Sequence, residues 1–510
     1  TLGGLYRFDL DPVSDAYDLD FEKLLGQPAI LLINPANSKL TFYHGIITQI
    51  SALFEVVEGK LLLKARLEPA FAKLRDSTFN ECYVDNAKGL SLSNLIDTIF
   101  QRFGFQSGKD YEIRLSSNMP KRDFFMQYEE SFLDFLQRWT EFEGAYYYFE
   151  QNEQRERIIF VDDVSSLPAD KTALKYRPEG MFATELYQTC VQSFNQIQSL
   201  VPNKSSLHDY NYLRASDPVK GEESLGNTQW GEIMAFGGRL NENSQAKHYA
   251  KLRAEAQSIP GSIVQGKGLA SGLKPGMAIS ISGHPRRQMN GDYRIISLKH
   301  SGAQAGFGLA LSEDKLPSNG DNFYQVEFEA IPIAKAFRLR LKTPRPHITG
   351  YLPGFVDSEG DGQAAEVDRY GRYKIDFPFD YTSHNPSRAS AWIRLATPYG
   401  GPGQSNETGL HFPLLKGAEV LLVFMDGDPD QPVIAGVLPN SLTPSPVNSN
   451  NHMHNRLVTA SSNELHLEDT PGVQGIRMRS SNGSAMFLMG AFGGKFGNVS
   501  PDQLADDAES

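Results

Sequence analysis

The sequence predicts a mainly β protein with α+β insertions, and three observations carry that prediction. In the stretch from Phe412 to Leu442, the unbroken apolar run Val420 to Phe424 lies between Gly417 and Gly427, which suits a strand covered on both faces. Asp426, Gly427, Asp428, Pro429 and Asp430 then supply turn chemistry, and Pro432 to Leu438 returns as the second strand of a hairpin. Second, Tyr373, Ile375, Phe377 and Phe379 alternate with Lys374, Asp376, Pro378 and Asp380, the period-two pattern of a strand with one aromatic face and one mostly polar face. With candidate strands at His347 to Val356 and Trp392 to Thr397, this span holds about five strands, the number of a small Greek-key barrel of the OB type. Third, short apolar runs between Leu5 and Leu67 alternate with Gly, Pro and Asn, again the pattern of a β-rich domain.

Composition bounds the class. At 510 residues the chain exceeds one ordinary core, so three or four domains are expected. With 40% hydrophobic and 22% charged residues it matches a globular protein, and no window approaches the roughly 18 consecutive apolar residues of a spanning helix. Thr1 to Asp20 is acidic, with no basic start or apolar core, so no signal peptide is expected. The net charge of −12 argues against a general nucleic-acid binder, which needs an excess of Lys and Arg for phosphates. Cys82 and Cys190 are the two cysteines, far apart and outside any CxxC spacing, which excludes a disulfide framework or a cysteine-rich zinc site and suits folding in a reducing cytosol.

Along the chain, Leu92, Leu95, Ile96, Ile99, Phe100 and Phe103 recur at helical steps, with Ser91 or Ser93 as N-cap and Gly104 as stop. A second helix is expected over Glu130 to Phe142, ended by Gly144, followed by a tyrosine-rich strand from Ala145 to Phe149. Asn203 to Trp230 is polar with scattered Pro and Gly and is expected to be a surface connection. Ala246, Tyr249, Ala250, Arg253 and Ala254 mark a third helix between Asn243 and Gln257. Ser271 to Gly302 is expected to form strand, turn and strand, and Phe323 to Lys342 is β-rich before the proline-rich approach to the OB span. Beyond Leu438, Pro, Ser and Asn mark a linker. Strand-length units with two or three apolar residues on one face follow, and such strands need neighbours to bury that face.

Several of these stretches carry a family resemblance. VDRYGRYKIDFPFD (Val367 to Asp380), AWIRLATPYGGPGQ (Ala391 to Gln404) and the hairpin with GDPDQPVIAGVLPN closely resemble the OB domain of VgrG, the spike protein family of bacterial type VI secretion systems. That family is related to the hub and needle proteins of contractile phage tails. FYHGIITQI (Phe42 to Ile50) and Arg122 to Glu150 resemble its N-terminal region, the plain alternative for the latter being an unrelated α+β domain with aromatic packing. Ser271 to Gly302, with GLKPG and GHP, resembles its second hub barrel.

The resemblance implies two hub barrels, an OB-fold barrel and the start of a trimeric intertwined β-helix. The corresponding division is a first hub barrel over 1–190 with a helical insertion at about 88–145, and a second over 191–343. The OB domain then spans 344–441, a linker 442–455, the first turns of the spike 456–496 and an acidic tail 497–510. It also implies a mechanical, non-catalytic role with no cofactor: a homotrimer that caps the Hcp tube hexamer, contacts a PAAR-type tip protein and baseplate components, and carries effectors or their adaptors. Its place would be the bacterial cytoplasm during assembly, then the exterior or the target cell. On this reading Leu465, Leu467, Ile476, Met478, Met486 and Leu488 form the intertwined core, and Trp392 and Phe424 the core of the OB barrel. Alternatives are the hub of a phage tail or tailocin, a VgrG whose effector domain lies beyond this chain, and a carbohydrate-binding β protein.

Motifs for other chemistry are incomplete. Gly261 to Gly268, GSIVQGKG, matches a phosphate-binding loop up to Lys267, but Gly268 stands where a Ser or Thr must ligate magnesium, and a helix rather than a strand precedes it. Asp426, Asp428 and Asp430 have calcium-loop spacing, yet Val437 occupies the position of the bidentate Glu, so a hairpin turn is expected. His452 and His454 could reach one metal but lie in a polar linker and are expected to be solvated. The carboxylate pairs Glu129/Glu130 and Asp162/Asp163 sit in no catalytic motif and are expected to be solvated too, and neither GxSxG nor HExxH occurs.

Overall fold

The computed structural model describes residues 1–34, 40–57, 60–85, 88–116, 119–178, 190–226, 230–304, 323–359, 364–382, 389–403, 408–482 and 485–490. The expected acidic tail, 497–510, lies outside the described residues. The chain divides into two compact units, one of Thr1–Phe79, Leu90–Arg122 and Glu129–Arg345, the other of Asn80–Gly89, Asp123–Tyr128 and Pro346–Ser510.

The first unit begins with an antiparallel sheet in the order Phe8–Leu10, Lys60–Glu68, Thr41–Val57, Pro28–Ile33, with Val13–Ser14 also pairing with Lys60–Glu68. It remains open among the described residues, so the first expected barrel is a half-barrel. The helix Leu92–Arg102 starts where expected: Ser91 and Asn94 form a reciprocal capping box that satisfies two otherwise orphaned N–H groups. The helix Phe132–Glu143 is capped by Ser131, whose hydroxyl accepts the Asp134 N–H at 3.0 Å, and ends at Gly144 with φ 73°, a left-handed conformation that glycine adopts without a Cβ penalty. The first helix buries Leu92, Leu95, Ile96, Ile99 and Phe100 of its predicted stripe, with Phe103 half-buried, and the second buries Phe132, Phe135, Leu136 and Trp139. Phe100 packs against Phe71, Tyr111 and Phe160, the last two from the sheet Tyr111–Arg114, Glu156–Val161, Tyr146–Gln151.

A closed six-stranded barrel follows. Its staves are, in order, Lys171–Tyr176, Cys190–Gln198, Ser262–Gly268, Phe323–Pro332, Gly291–Ala303 and Ala278–Ser282, the last pairing in parallel with the first. Lys171–Tyr176 was expected within the first hub domain, but its backbone groups pair with Ala278–Ser282 and Cys190–Gln198, a long-range choice that local pattern does not encode.

The polar stretch expected as a surface connection contains two strands, Lys204–Asp209 and Val219–Ser224, which form a sheet with Glu232–Phe236. The helix Asn243–Ser258 covers them, packing Ala246, Tyr249 and Ala250 against Leu207, Val219 and Leu240. The approach is close because Gly221 has no side chain: a Cβ there would lie 2.1 Å from the backbone of Ala246 and Lys247.

The second unit contains the five-stranded barrel, ordered Lys374–Asp376, Tyr351–Asp357, Glu419–Phe424, Pro432–Val437, Arg394–Leu395. It closes through Tyr373 and Ile393, which exchange backbone hydrogen bonds of 2.9 and 2.7 Å. Phe424 is buried in its core beside Ile375, Phe377, Val420, Leu422 and Ile434. Trp392 is not in that core. Its neighbours Ala391 and Ile393 point inward, so alternation turns the half-buried indole outward, where the Lys374 ammonium sits 4.8 Å from the ring centre. The core also receives Cys82, Phe124 and Met126 from a strand pair far upstream in sequence.

Candidate functional site

The C-terminal part of the second unit is an antiparallel four-stranded sheet of His454–Val458, Glu464–Glu468, Gly475–Arg479 and Met486–Gly490, joined in sequence order. Its register is set by Leu457 opposite Leu465, Leu465 opposite Met478, and Met478 opposite Phe487. Because side chains alternate, this register sorts the sheet into two unlike faces.

One face collects Leu457, Leu465, Leu467, Ile476, Met478, Phe487 and Met489, with Asn455 as its polar member. It is open in the single chain: Leu467 is 38% exposed, Met478 53%, Phe487 57% and Met489 53%. A contiguous apolar face of this kind is uncommon on an isolated soluble chain and marks a surface that something covers. Of the residues expected in a shared core, Leu465, Leu467, Ile476 and Met478 lie together here, while Met486 and Leu488 lie on the opposite face. The segment Ala485 to Met489 is apolar throughout, so its own sequence carries no alternation, and only pairing with Gly475–Arg479 selects Phe487 and Met489 instead.

The opposite face is charged. Glu464 accepts from Arg456 Nε at 2.8 Å and from Arg477 Nη2 at 2.9 Å and is almost wholly buried between them. Burial would raise its carboxyl, but the two guanidinium groups outweigh that and hold it below the usual range. Further along the same face, His454 Nε2 lies 3.0 Å and His466 Nε2 3.5 Å from Glu468 Oε2. Burial, then the charges of Arg477 and His454, lowers the His466 pKa.

The remaining candidates have structural uses. Ser262–Gly268 is a barrel stave rather than a phosphate-binding loop, and its glycines make room: a Cβ on Gly266 would meet the Phe328 ring at 2.1 Å, and one on Gly268 the Cys190 carbonyl oxygen at 2.2 Å. Asp428 and Asp430 are buried in the hairpin turn and accept N–H groups, Asp428 from Asp430 at 3.1 Å and Asp430 from Met126 at 2.7 Å. His452 makes a 3.2 Å contact with the Ser449 carbonyl oxygen, so the HMH pair is split and His454 finds its histidine across the sheet. Glu130, expected to be solvated, is buried in an ion pair with Arg138 at 2.7 Å. Asp163 accepts the Ser165 N–H at 2.8 Å and Asp162 that of Ser116 at 2.9 Å. Cys82 and Cys190 are free thiols, both buried.

Comparison with known proteins places this geometry. The chain is similar to the type VI secretion system spike proteins VgrG5 and VgrG1a of Pseudomonas aeruginosa, 27% identical over 490 residues and 26% over 491. These alignments cover 92% and 93% of this chain, and the chain spans 59% of VgrG5 and 72% of VgrG1a. Among solved structures it is similar in fold to an E. coli component of the type VI secretion system described as resembling the T4 bacteriophage tail proteins gp27 and gp5, with TM-score 0.61, 23% identity and coverage of 86% of this chain and 94% of that one. A chain of the Francisella PdpA-VgrG complex gives TM-score 0.60 at 12% identity, covering 95% of this chain and 80% of that one. The type VI secretion system/phage-baseplate injector OB domain matches residues 364–438, on the five-stranded barrel. The phage tail baseplate hub (GPD) family matches residues 1–306, and the chain belongs to that family.

Proposed function

We propose that this chain is a hub-and-spike subunit of a type VI secretion system that works as a homotrimer and has a mechanical rather than catalytic role. The observation that carries this reading is the exposed apolar face of the C-terminal sheet. Three copies about one axis would turn Leu457, Leu465, Leu467, Ile476, Met478, Phe487 and Met489 inward, each large apolar side chain contributing roughly 1.5–3 kcal/mol when fully buried. The outward face, with its buried Arg–Glu–Arg cluster, suits the solvent side of such a prism. Pairing each strand along its length would also leave no open sheet edge, which favours a stiff, thin spike.

The hub part supports the same reading. One closed barrel and one half-barrel per chain, times three, would present a pseudo-sixfold base to the hexameric Hcp ring, with the OB barrels as a collar. A PAAR-type tip, baseplate components and effectors or their adaptors complete the proposed partners, and delivery out of the producing bacterium is the proposed destination. The hub of a contractile phage tail is favoured as a second reading by the shared baseplate families.

The test is mass in solution by light scattering, for the chain and for the double substitution Leu467→Asp with Ile476→Asp. A trimer that the two aspartates convert to monomer supports the proposal. A well-folded monomer with an ordered C-terminal sheet, or a trimer indifferent to the aspartates, overturns it. Capture of hexameric Hcp from solution by the trimer then separates the secretion reading from the phage reading.

A further inference from the structure

The charged face of the C-terminal sheet holds a second arrangement that the spike reading does not use. His454 stands directly opposite Glu468 across the first strand pair, and His466 is two residues from Glu468 on the second strand, so all three side chains rise from one face. One donor atom from each lies within 4.8 Å of the other two. The imidazole rings are tilted 37° to each other with centroids 4.4 Å apart, and both approach the same carboxylate oxygen, at 3.0 and 3.5 Å. His466 is 7% exposed, yet its Nε2, the atom nearest Glu468, has no hydrogen-bond partner. A buried polar atom without a partner is destabilising, and an aimed but unpaired ring nitrogen is what a cation would satisfy.

We propose that His454, His466 and Glu468 form a binding site for one first-row transition-metal dication of the zinc class, each histidine giving a ring nitrogen and Glu468 a carboxylate oxygen. Bonds of about 2.0–2.1 Å at tetrahedral angles put donor atoms roughly 3.3 Å apart, between the two separations to Glu468 Oε2. Two imidazoles and one carboxylate favour zinc, cobalt, nickel or copper over magnesium and calcium, which take oxygen ligands. Three protein ligands leave a fourth position for water. The nearby cations do not compete, because Arg456 and Arg477 are both engaged by Glu464. Bound there, the ion staples the first strand of the sheet to the second and adds its binding free energy to the folding of this segment. The proposal concerns one chain and holds whether or not three chains associate.

The experiment titrates untagged, metal-stripped full chain with Co²⁺, read by its visible d–d bands, and then displaces it with Zn²⁺. The expected result is one Co²⁺ per chain in a low-coordinate spectrum, bleached by one equivalent of Zn²⁺. Glu468→Gln and His466→Ala should each weaken uptake by at least roughly 100-fold, more than loss of an outer-sphere partner causes. His452→Ala should leave uptake unchanged. Glu468→Gln preserves side-chain shape and His454→Ala alters a half-buried position, so these two decide the matter should His466→Ala fail to fold. Absence of stoichiometric uptake by the native chain, uptake that survives both Glu468→Gln and His454→Ala, or loss on His452→Ala alone overturns the assignment.

Discussion

The carboxylate of Asp430, in the tight turn of the OB hairpin, accepts the backbone N–H of Met126 at 2.7 Å, although 304 residues separate them in sequence. Asp380 makes a matching contact with the N–H of Cys82 at 2.9 Å. Two aspartates of the barrel thus hold the upstream strand pair that fills out the core with Cys82, Phe124 and Met126.

Asp430→Ala takes this acceptor from a buried N–H, and the expected destabilisation is about 1–3 kcal/mol. Asp430→Asn keeps an acceptor oxygen and should lose less. Denaturant unfolding followed through aromatic fluorescence, with Asp380→Ala as a second probe, checks the order.

Gly221→Ala should destabilise the sheet beneath the helix Asn243–Ser258. The added Cβ would meet the backbone of Ala246 and Lys247 at 2.1 Å, and backbone cannot rotate aside. Overpacking of this kind costs about 1–3 kcal/mol, and the expected readout is a lowered melting temperature with earlier proteolysis around 210–240.

Glu156 predicts a pH dependence. Burial raises its pKa to about 7 from an ordinary 4.5, although Tyr6 and the Ala70 N–H at 2.7 Å donate to its carboxyl. Between these two values the folded chain binds more protons at this site than the unfolded chain, so stability falls as pH rises. The contribution is complete below the lower value and is lost on passing through about 7, amounting to about 3 kcal/mol. Glu156→Gln should flatten this dependence, so the native-minus-variant stability difference should shift in favour of the variant between acidic and mildly alkaline buffer.

Arg122→Met should cost about 3–5 kcal/mol by removing the guanidinium 2.9 Å from the buried carboxylate of Glu143. The Tyr249 hydroxyl, which donates to Glu143 at 2.7 Å, would remain as a neutral partner. Arg122→Met with Glu143→Met should recover much of the loss, and a double-mutant cycle in chemical denaturant measures the coupling.

Much of the fold was legible from local pattern. The capping box at Ser91, the stripe from Leu92 to Phe100 and the stop at Gly144 act within one or two helical turns, so neighbours in sequence carry the information. The OB hairpin was equally plain, since an apolar run, a turn and a second run are all local. Lys204–Asp209 and Val219–Ser224 were not, because Ser and Glu in strands give no apolar alternation and their support is a helix contributed by later sequence.

The candidate site shows the same division. That the C-terminal strands carry apolar residues needing a partner was visible in Leu465, Leu467, Ile476 and Met478. That Phe487 and Met489, rather than Met486 and Leu488, share their face was not, because a one-residue change of register exchanges the two faces of a strand and only pairing selects between them. His452 and His454 are neighbours in sequence, but His454 meets His466 because antiparallel pairing brings the second strand back across the first. Sequence alone determined where the chain is helical, where it turns and which segments are too apolar for water, since those properties arise from contacts a few residues apart. Which face a strand presents, which distant strand it joins and which polar groups meet were decided only in three dimensions, because each is a choice among backbone partners that local physics leaves equal.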